Sequence, residues 1–442
     1  MFDAARYFKM SGARLACACI LVLLVASDLS AGVRVNLRDF SWQRPRLPNL
    51  SPVAEIDEGR AEFKGHVRRL LRTDCDLDCQ VQKDRQPLSM EDIENDMSFE
   101  TLDVYRQVRI KTLVNVSEVS DEMLRLDMNS TAQAERNAMD RLPRRSKRAI
   151  FGYDTRFNLP TKKFSTMFPF STAVKLSTGC AGVMVSPNHV LTSAHCIHDG
   201  KKYLKGVKRL RVGRMIEKVL KKRGKKKGRK GKKGKKGKKN RKRSHTSSAN
   251  AVNEQANLVR TRRDAPKVIQ KFKWTRARKT HIPHSWIKSK QQRNTDLMVE
   301  YDYAVIELKR PLGSDFMKLG ISPVKERLPR NQRIHFTAFE PTKTPTLIYR
   351  YCAVEEQSAD MMYHYCDAQK GSSGAGIYIR LYDSDTGHWD RRVVGIFSGH
   401  QWVDMGQEVP PKEYNTGVRI TPLKFAQICF WTTGDYGQCR DG

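Results

Sequence analysis

Residues 191–200 read "LTSAHCIHDG", and the fold turns on how they are read. His195 closes an apolar run, "HVLTS" (189–193), and stands directly before Cys196. The run has the β-branched and apolar content of a short buried strand. Cys180 lies 16 residues ahead of Cys196. A disulfide between them would hold the turn that carries His195. A histidine taken alone is usually structural or solvated, but the strand before it and the cysteine after it give this one a fixed place.

Two further stretches join it downstream. "YDYAVIEL" (301–308) puts Asp302 at the head of an apolar strand. "CDAQKGSSGAGIY" (366–378) sets Ser373 among glycines. The order is His, Asp, Ser. Nucleophilic acyl transfer needs these three types together. A serine hydroxyl is a poor nucleophile until a neutral imidazole takes its proton. A buried carboxylate must then hold the imidazole in the right tautomer. This order is that of chymotrypsin-type barrels, whereas subtilisins and α/β-hydrolases run differently. A G-x-S-x-G elbow fails, because Ala375 sits two residues after Ser373. His195 and Asp302 are 107 residues apart, against about 45 in the chymotrypsin template. An insertion between them accounts for the excess.

The rest of the chain from 149 onward alternates short apolar runs with turn signals. "FSTAVKL" and "AGVMVS" precede the turn "SPNH". "VIQKFKW", "YAVIEL", "RIHFTAF", "TLIYRYCAV", "GIYIRLY" and "RVVGIF" follow. Strands of this length with few helical stretches predict an all-β barrel or sandwich. "TPLKFAQICFW" (421–431) differs. Thr421 and Pro422 make a cap and first turn, and Leu423, Phe425, Ile428 and Phe430 suit a terminal helix packed on the β body.

The chain has 442 residues, only 39% of them hydrophobic, and a formal net charge of +35. This composition predicts a foldable domain diluted by polar sequence. Residues 1–31 read as a signal peptide, with Arg6, Lys9 and Arg14 ahead of the apolar run Leu15–Ala26. That run is too short to span a bilayer comfortably and no later stretch does, so no transmembrane anchor is expected. Residues 32–148 read as a prosegment ending in "RLPRRSKRAIFGYD". Arg145–Arg148 is an R-x-K-R site for a proprotein convertase, and Arg260–Arg263 is a second, R-x-R-R. Residues 149–442 form the main domain, with an unstructured insertion at about 215–265. Its tract Lys221–Arg243 holds 17 Lys or Arg and no acid. No apolar residue there offsets the entropy of ordering.

Eight cysteines lie outside the signal peptide: Cys75, Cys79, Cys180, Cys196, Cys352, Cys366, Cys429 and Cys439. An even number in an oxidising compartment suggests disulfides. Their local spacing favours pairing of neighbours, although sequence leaves other connectivities open. Cys75-x3-Cys79 has no matching His or Cys pair nearby, so no metal is expected, and no cofactor. Sequons stand at Asn49, Asn115 and Asn129.

"LTSAHC", "DYAVIEL", "YCDAQKGSSGAGIY" and "SGHQWVD" together resemble the secreted trypsin-fold group of serine proteases 23 and 35. The Lys-rich insertion is most similar to that of serine protease 35. The resemblance covers most of 145–442 and, weakly, the prosegment. It implies a double six-stranded β-barrel with the site in the cleft between barrels. It carries the catalytic triad onto His195, Asp302 and Ser373, and the oxyanion hole onto the N–H groups of Gly371 and Ser373. "IFSGHQW" (396–402) would line the primary pocket, with Ser398, Gly399 and His400 as specificity residues. His400 or Gln401 there would favour an acidic or polar side chain, and the plainer reading is that His400 packs against Trp402. Asp367 stands six residues before Ser373, where trypsin has its pocket aspartate, but Cys366 beside it leaves its direction open. His198, His335 and His388 read as structural or surface histidines.

Two departures from the family pattern matter. Ser372 replaces the aspartate that captures the new N-terminal amine in trypsin-like zymogens. Cleavage after Arg148 would therefore act by exposing the site, or else the oxyanion hole is preformed, as in the bacterial glutamyl endopeptidases whose GxSG segment this resembles. Secondly, serine protease 35 is a pseudoprotease where its nucleophile is replaced, whereas here position 373 is a serine.

Two functions stand side by side. One is a secreted, extracellular serine endopeptidase of unspecified protein substrate. The other is a catalytically silent trypsin-fold protein that binds matrix polyanions. In both, Lys221–Arg243 attracts glycosaminoglycan such as heparan sulfate through counterion release. No aromatic residues interleave the cations, which argues against specific nucleic-acid recognition.

Overall fold

The computed structural model describes residues 49–64, 90–117, 156–159, 162–220, 267–288, 299–323, 333–340, 346–383, 386–403 and 412–439. The chain divides into two compact units, one of residues 1–214 with 274–442, the other of residues 215–273. The Lys/Arg tract and Arg263, in the second unit, lie outside the described residues, as does Arg148.

A first sheet holds nine strands. They are β1 (Asn49–Arg60), β3 (Phe99–Asp103), β4 (Val108–Ser117), β6 (Ala173–Leu176), β7 (Ala181–Met184), β8 (His189–Thr192), β10 (Arg211–Leu220), β11 (Lys267–Pro283) and β12 (Ala304–Leu308). Their order is β1-β4-β3-β11-β10-β6-β7-β8-β12, and β11 also pairs with β12. That last pairing closes six strands, β6, β7, β8, β10, β11 and β12, into a barrel. Closure removes the exposed edges that an open sheet would leave. β7 and β12 run through it as nearly unbroken buried stretches, "AGVM" and "AVIEL".

The second sheet is built from β5 (Phe157–Asn158), β13 (Lys318–Leu319), β14 (Ile334–Glu340), β15 (Thr346–Cys352), β16 (Glu356–Gln357), β17 (Met361–His364), β18 (Gly376–Asp383), β19 (His388–Val403) and β20 (Lys412–Arg419). Its path is β16-β17-β20-β19-β18-β14-β15-β5, with β13 alongside β19. A small pair, β2 (Phe63–Lys64) and β9 (Tyr203–Leu204), runs parallel. The all-β expectation holds, and it takes the form of barrels rather than a sandwich.

Among the described residues, three α-helices accompany the sheets: α1 (Met90–Met97), α2 (His284–Lys288) and α3 (Pro422–Thr433). α3 is the terminal helix expected from its cap. The Thr421 side chain accepts from the Lys424 N–H, Pro422 opens the first turn, and Gly434 ends the helix in the left-handed region at φ 73°. Phe425 and Ile428 are buried, and Leu423 and Phe430 pack half-buried beside them. Among the described residues, no helix is long and apolar enough to cross a membrane.

The first barrel, α1 and α3 share one large hydrophobic core. A second cluster, with Phe336, Ile377, Ile379, Val394 and Phe397, fills the other barrel. Three disulfides join neighbours as expected: Cys180–Cys196, Cys352–Cys366 and Cys429–Cys439. Cys75 and Cys79 lie outside the described residues. Asn115 is exposed on β4, Asn49 begins β1, and Asn129 lies outside the described residues.

Candidate active site

β8 ends at Thr192, and a single 3-10 turn, Ala194–Cys196, follows it. The disulfide from Cys196 to Cys180 ties this turn to the start of β7. His195 is thereby held with its ring over Asp302. Its Nδ1 lies 2.7 Å from Asp302 Oδ2, and its backbone N–H donates to Oδ1 at 2.9 Å.

Asp302 sits between the turn Val299–Tyr301 and the head of β12. Its side chain is wholly buried. A buried carboxylate is costly unless its oxygens are satisfied. Here it accepts from His195 twice and from the Ser398 hydroxyl, at 2.5 Å on Oδ2. With Nδ1–H donating a hydrogen bond to this carboxylate, Nε2 keeps its lone pair and can act as a base.

Ser373 lies on the turn ahead of β18, between Gly371 at φ 98° and Gly374 at φ 84°. L side chains rarely adopt these values. Gly374 is also pressed against the first barrel: a Cβ there would come within 2.2 Å of Thr192 Oγ1 and 2.4 Å of the Ala181 carbonyl. The Ser373 carbonyl accepts from Ala181 N–H at 2.8 Å. The Cys196 sulfur touches both His195 Nε2, at 3.7 Å, and the Ser373 carbonyl, at 3.9 Å. The three candidate residues are thus drawn to one place, at the junction of the two barrels. Ser193 Oγ donates to the Phe397 carbonyl at 3.0 Å and reinforces this seam.

Among the described residues, neither the Gly371 nor the Ser373 N–H is given to a protein acceptor. Their neighbours in the turn are bonded. Ser372 N–H donates to the Gln369 carbonyl and Ala375 N–H to the Ser372 carbonyl, each at 3.0 Å. The Ser372 side chain is buried, and its hydroxyl accepts from the Gln369 N–H at 3.5 Å. The residue that stands in place of the zymogen aspartate therefore serves its own turn.

The pocket residues divide. Ser398 donates its hydroxyl to Asp302. The Gly399 carbonyl accepts from Thr416 Oγ1 at 3.2 Å. His400 pairs through Nε2 with the Glu413 carboxylate. Asp367 is buried, and its carbonyl accepts from Arg350 Nε at 2.6 Å. The Cys366 carbonyl beside it accepts from Asn415 Nδ2 at 2.6 Å.

Three other histidines singled out in the sequence serve packing or the surface. His198 is buried against Tyr203, and burial holds its ring down at about 4. His335 stacks on Tyr349 and Tyr378, pushed down to about 3 by burial. His388 is exposed. Two His/Cys groups are compact enough to consider for a metal, Cys180 with His195 and Cys196, and Cys352 with His364 and Cys366. All four cysteines are in disulfides, so they present no thiolate.

Sequence patterns did not single out Ser398 as a partner of the aspartate. Nor did they mark Tyr301 and Tyr303, which flank Asp302 and prove to be anchored side chains. For Ser398 the only signal is its place in "IFSGHQW", since its role depends on β19 reaching the first barrel.

A fully buried aspartate bonded to a histidine, with a serine held between positive-φ glycines at the barrel junction, is the arrangement expected of a trypsin-fold serine protease. The trypsin family model matches residues 161–250. "Inactive serine protease 35" of Homo sapiens is 42% identical over 412 residues, 91% of this chain and 94% of that protein. The Mus musculus protein of the same name is 39% identical over 96% of this chain and 98% of its own. "Serine protease 23" of Homo sapiens is 38% identical over 91% of this chain and 92% of its own. The chain belongs to the trypsin-fold serine protease family, with serine proteases 35 and 23 as relatives. A solved Glu endopeptidase in complex with MPD aligns over 65% of this chain and 100% of its own, at 14% identity and a TM-score of 0.39, too loose a likeness to bear on function.

Proposed function

We propose that the protein is a secreted serine endopeptidase. The observation that carries this is the buried carboxylate of Asp302, fully satisfied by His195 and Ser398, together with a serine at 373. His195 Nε2 takes the Ser373 hydroxyl proton as the oxygen attacks a peptide carbonyl. The tetrahedral oxyanion is received by the Gly371 and Ser373 N–H groups, each donor supplying about 2.7–4 kcal/mol. The imidazolium then returns its proton to the leaving amine, and an acyl-enzyme remains. Water, deprotonated by the same ring, releases the acid and restores Ser373.

Convertase cleavage after Arg148 is the proposed activation. It works without the N-terminal salt bridge of trypsin, because Ser372 carries no charge. The turn it occupies is held by its own backbone bonds, which supports a preformed oxyanion hole. Lys221–Arg243 is proposed to tether the protein to heparan sulfate outside the cell.

The pseudoprotease reading has its own support, since relatives at this identity carry the name "Inactive serine protease 35". A fluorophosphonate probe separates the two. Processed wild-type protein is expected to take the label, and Ser373→Ala to lose it completely. Absence of label on the wild type would sink the endopeptidase reading. For the tether, deletion of 221–243 is expected to lower the salt needed for elution from heparin; an unchanged elution would remove that role.

A further inference from the structure

Residues 90–117 lie ahead of the convertase site, in the region expected to be a prosegment, yet they are built onto the first barrel, in the same sheet and the same core. β3 runs along β11, with Phe99–Asp103 opposite Pro283–Lys279. β4 covers the far side of β3, and β1 lies beyond it. Ile93, Met97, Phe99, Leu102, Val114 and Val116 are buried in the same core as Leu191, Ile306 and Trp431. Phe99 meets Trp431 of α3 edge-on, ring centroids 5.5 Å apart. Glu100, itself buried, accepts the Tyr203 hydroxyl at 2.6 Å. Departure of this stretch would strip β11 of a partner strand over 279–283 and uncover the apolar surface beneath it.

Polar contacts of α1 reach the turn that carries Asp302, directly and by way of α3. Asp96 accepts from the Tyr301 hydroxyl, and from the Ser285 hydroxyl at 2.7 Å. Gln427 of α3 donates to the Met97 carbonyl at 2.7 Å, while its Oε1 accepts from the Tyr303 hydroxyl at 2.6 Å. Tyr301 and Tyr303 are the two neighbours of Asp302 in sequence. One is tied to α1 directly, the other through a single glutamine. The direction of the buried carboxylate follows the backbone between these two anchors.

We infer that residues 90–117 stay in place, held without a covalent link, after a cut at Arg148, and that Asp96 is the positioning residue that sets Asp302 through Tyr301. The first half stands on strand pairing and burial alone. The second rests on the serine-protease reading above.

The test has two arms. The full chain is cut with a proprotein convertase and run on a native sizing column. The fragment containing 90–117 is expected to co-elute with the body, and to part from it in SDS without reductant. Separate elution under native conditions overturns retention. Attachment that survives SDS without reductant shows a disulfide is responsible and overturns the non-covalent claim. This arm needs no activity.

The second arm compares rates of fluorophosphonate labelling in wild type, Asp96→Ala, Asp96→Asn, Tyr301→Phe and the Asp96→Ala/Tyr301→Phe double variant. A roughly 10-fold loss is expected for Asp96→Ala and for Tyr301→Phe. No further loss is expected in the double variant, because one contact transmits both effects. Asp96→Asn keeps an acceptor oxygen and should recover part of the rate. Tyr301→Phe removes one oxygen only, so the test survives misfolding of Asp96→Ala. Additive losses, or an unchanged rate in folded Tyr301→Phe, overturn the positioning role. Wild-type protein that takes no probe sinks the protease reading and this role with it, and leaves the sizing result standing.

Discussion

Asp302 shows how much a single side chain depends on its surroundings. An ionised carboxylate without access to water survives only because each oxygen is bonded. Two of its donors come from His195 and the third from Ser398, on the opposite barrel. Ser398→Ala removes that third donor while leaving the His195 pair. We expect fluorophosphonate labelling to slow about 10-fold, as befits a hydrogen bond to a charge of about 1.5 kcal/mol. A rate equal to wild type would show that the His195 contacts alone hold the aspartate. At this scale His195, Asp302 and Ser373 were legible in sequence, because each sits in a short local pattern. The bond from Ser398 to Asp302 was not legible, since nothing local tells which way a β19 hydroxyl faces.

At the level of elements, the turn after β8 is closed by the Cys180–Cys196 disulfide. A loop of this length confers about 3 kcal/mol by restricting the unfolded chain. The Cys180→Ser/Cys196→Ser double variant should therefore melt several degrees lower. It should also label more slowly than wild type at a temperature where both are folded, because the sulfur lies against His195 and Ser373. Equal labelling would make the bridge a stability device only. Strands of the main domain could be read from their apolar runs, and α3 from its cap. β4 also had a sequence signal, the alternation Val108, Ile110, Thr112, Val114, Val116. Period-2 alternation marks a strand but not its partner. That β4 and β3 continue the first barrel through β11 is a matter of long-range pairing.

For the molecule as a whole, buried histidines set the response to acid. Burial holds His198 at about 4 and His281, His335 and His364 at about 3, against 6.5 for a free ring. The unfolded chain takes protons below 6.5, and the folded one refuses them until far lower. Stability therefore rises with pH across this window and is lost as pH falls. Each such histidine contributes up to about 1.4 kcal/mol per pH unit. Urea unfolding at pH 7, 6 and 5, above the carboxylate range, should show a steady fall. A flat stability between pH 7 and 5 would mean that these rings are not held neutral.

The sequence by itself determined the class of protein and the all-β character, and favoured the pairing of neighbouring cysteines, because these rest on short-range patterns: a histidine beside a cysteine, a serine among glycines, apolar runs between turns. Only the tertiary structure decided that residues 90–117 extend the first sheet beyond the closed barrel, that Ser398 serves Asp302, and that Asp96 reaches the tyrosine beside it. Those contacts join residues 96 to 205 positions apart, and their partners are chosen by how whole sheets pack rather than by any local preference.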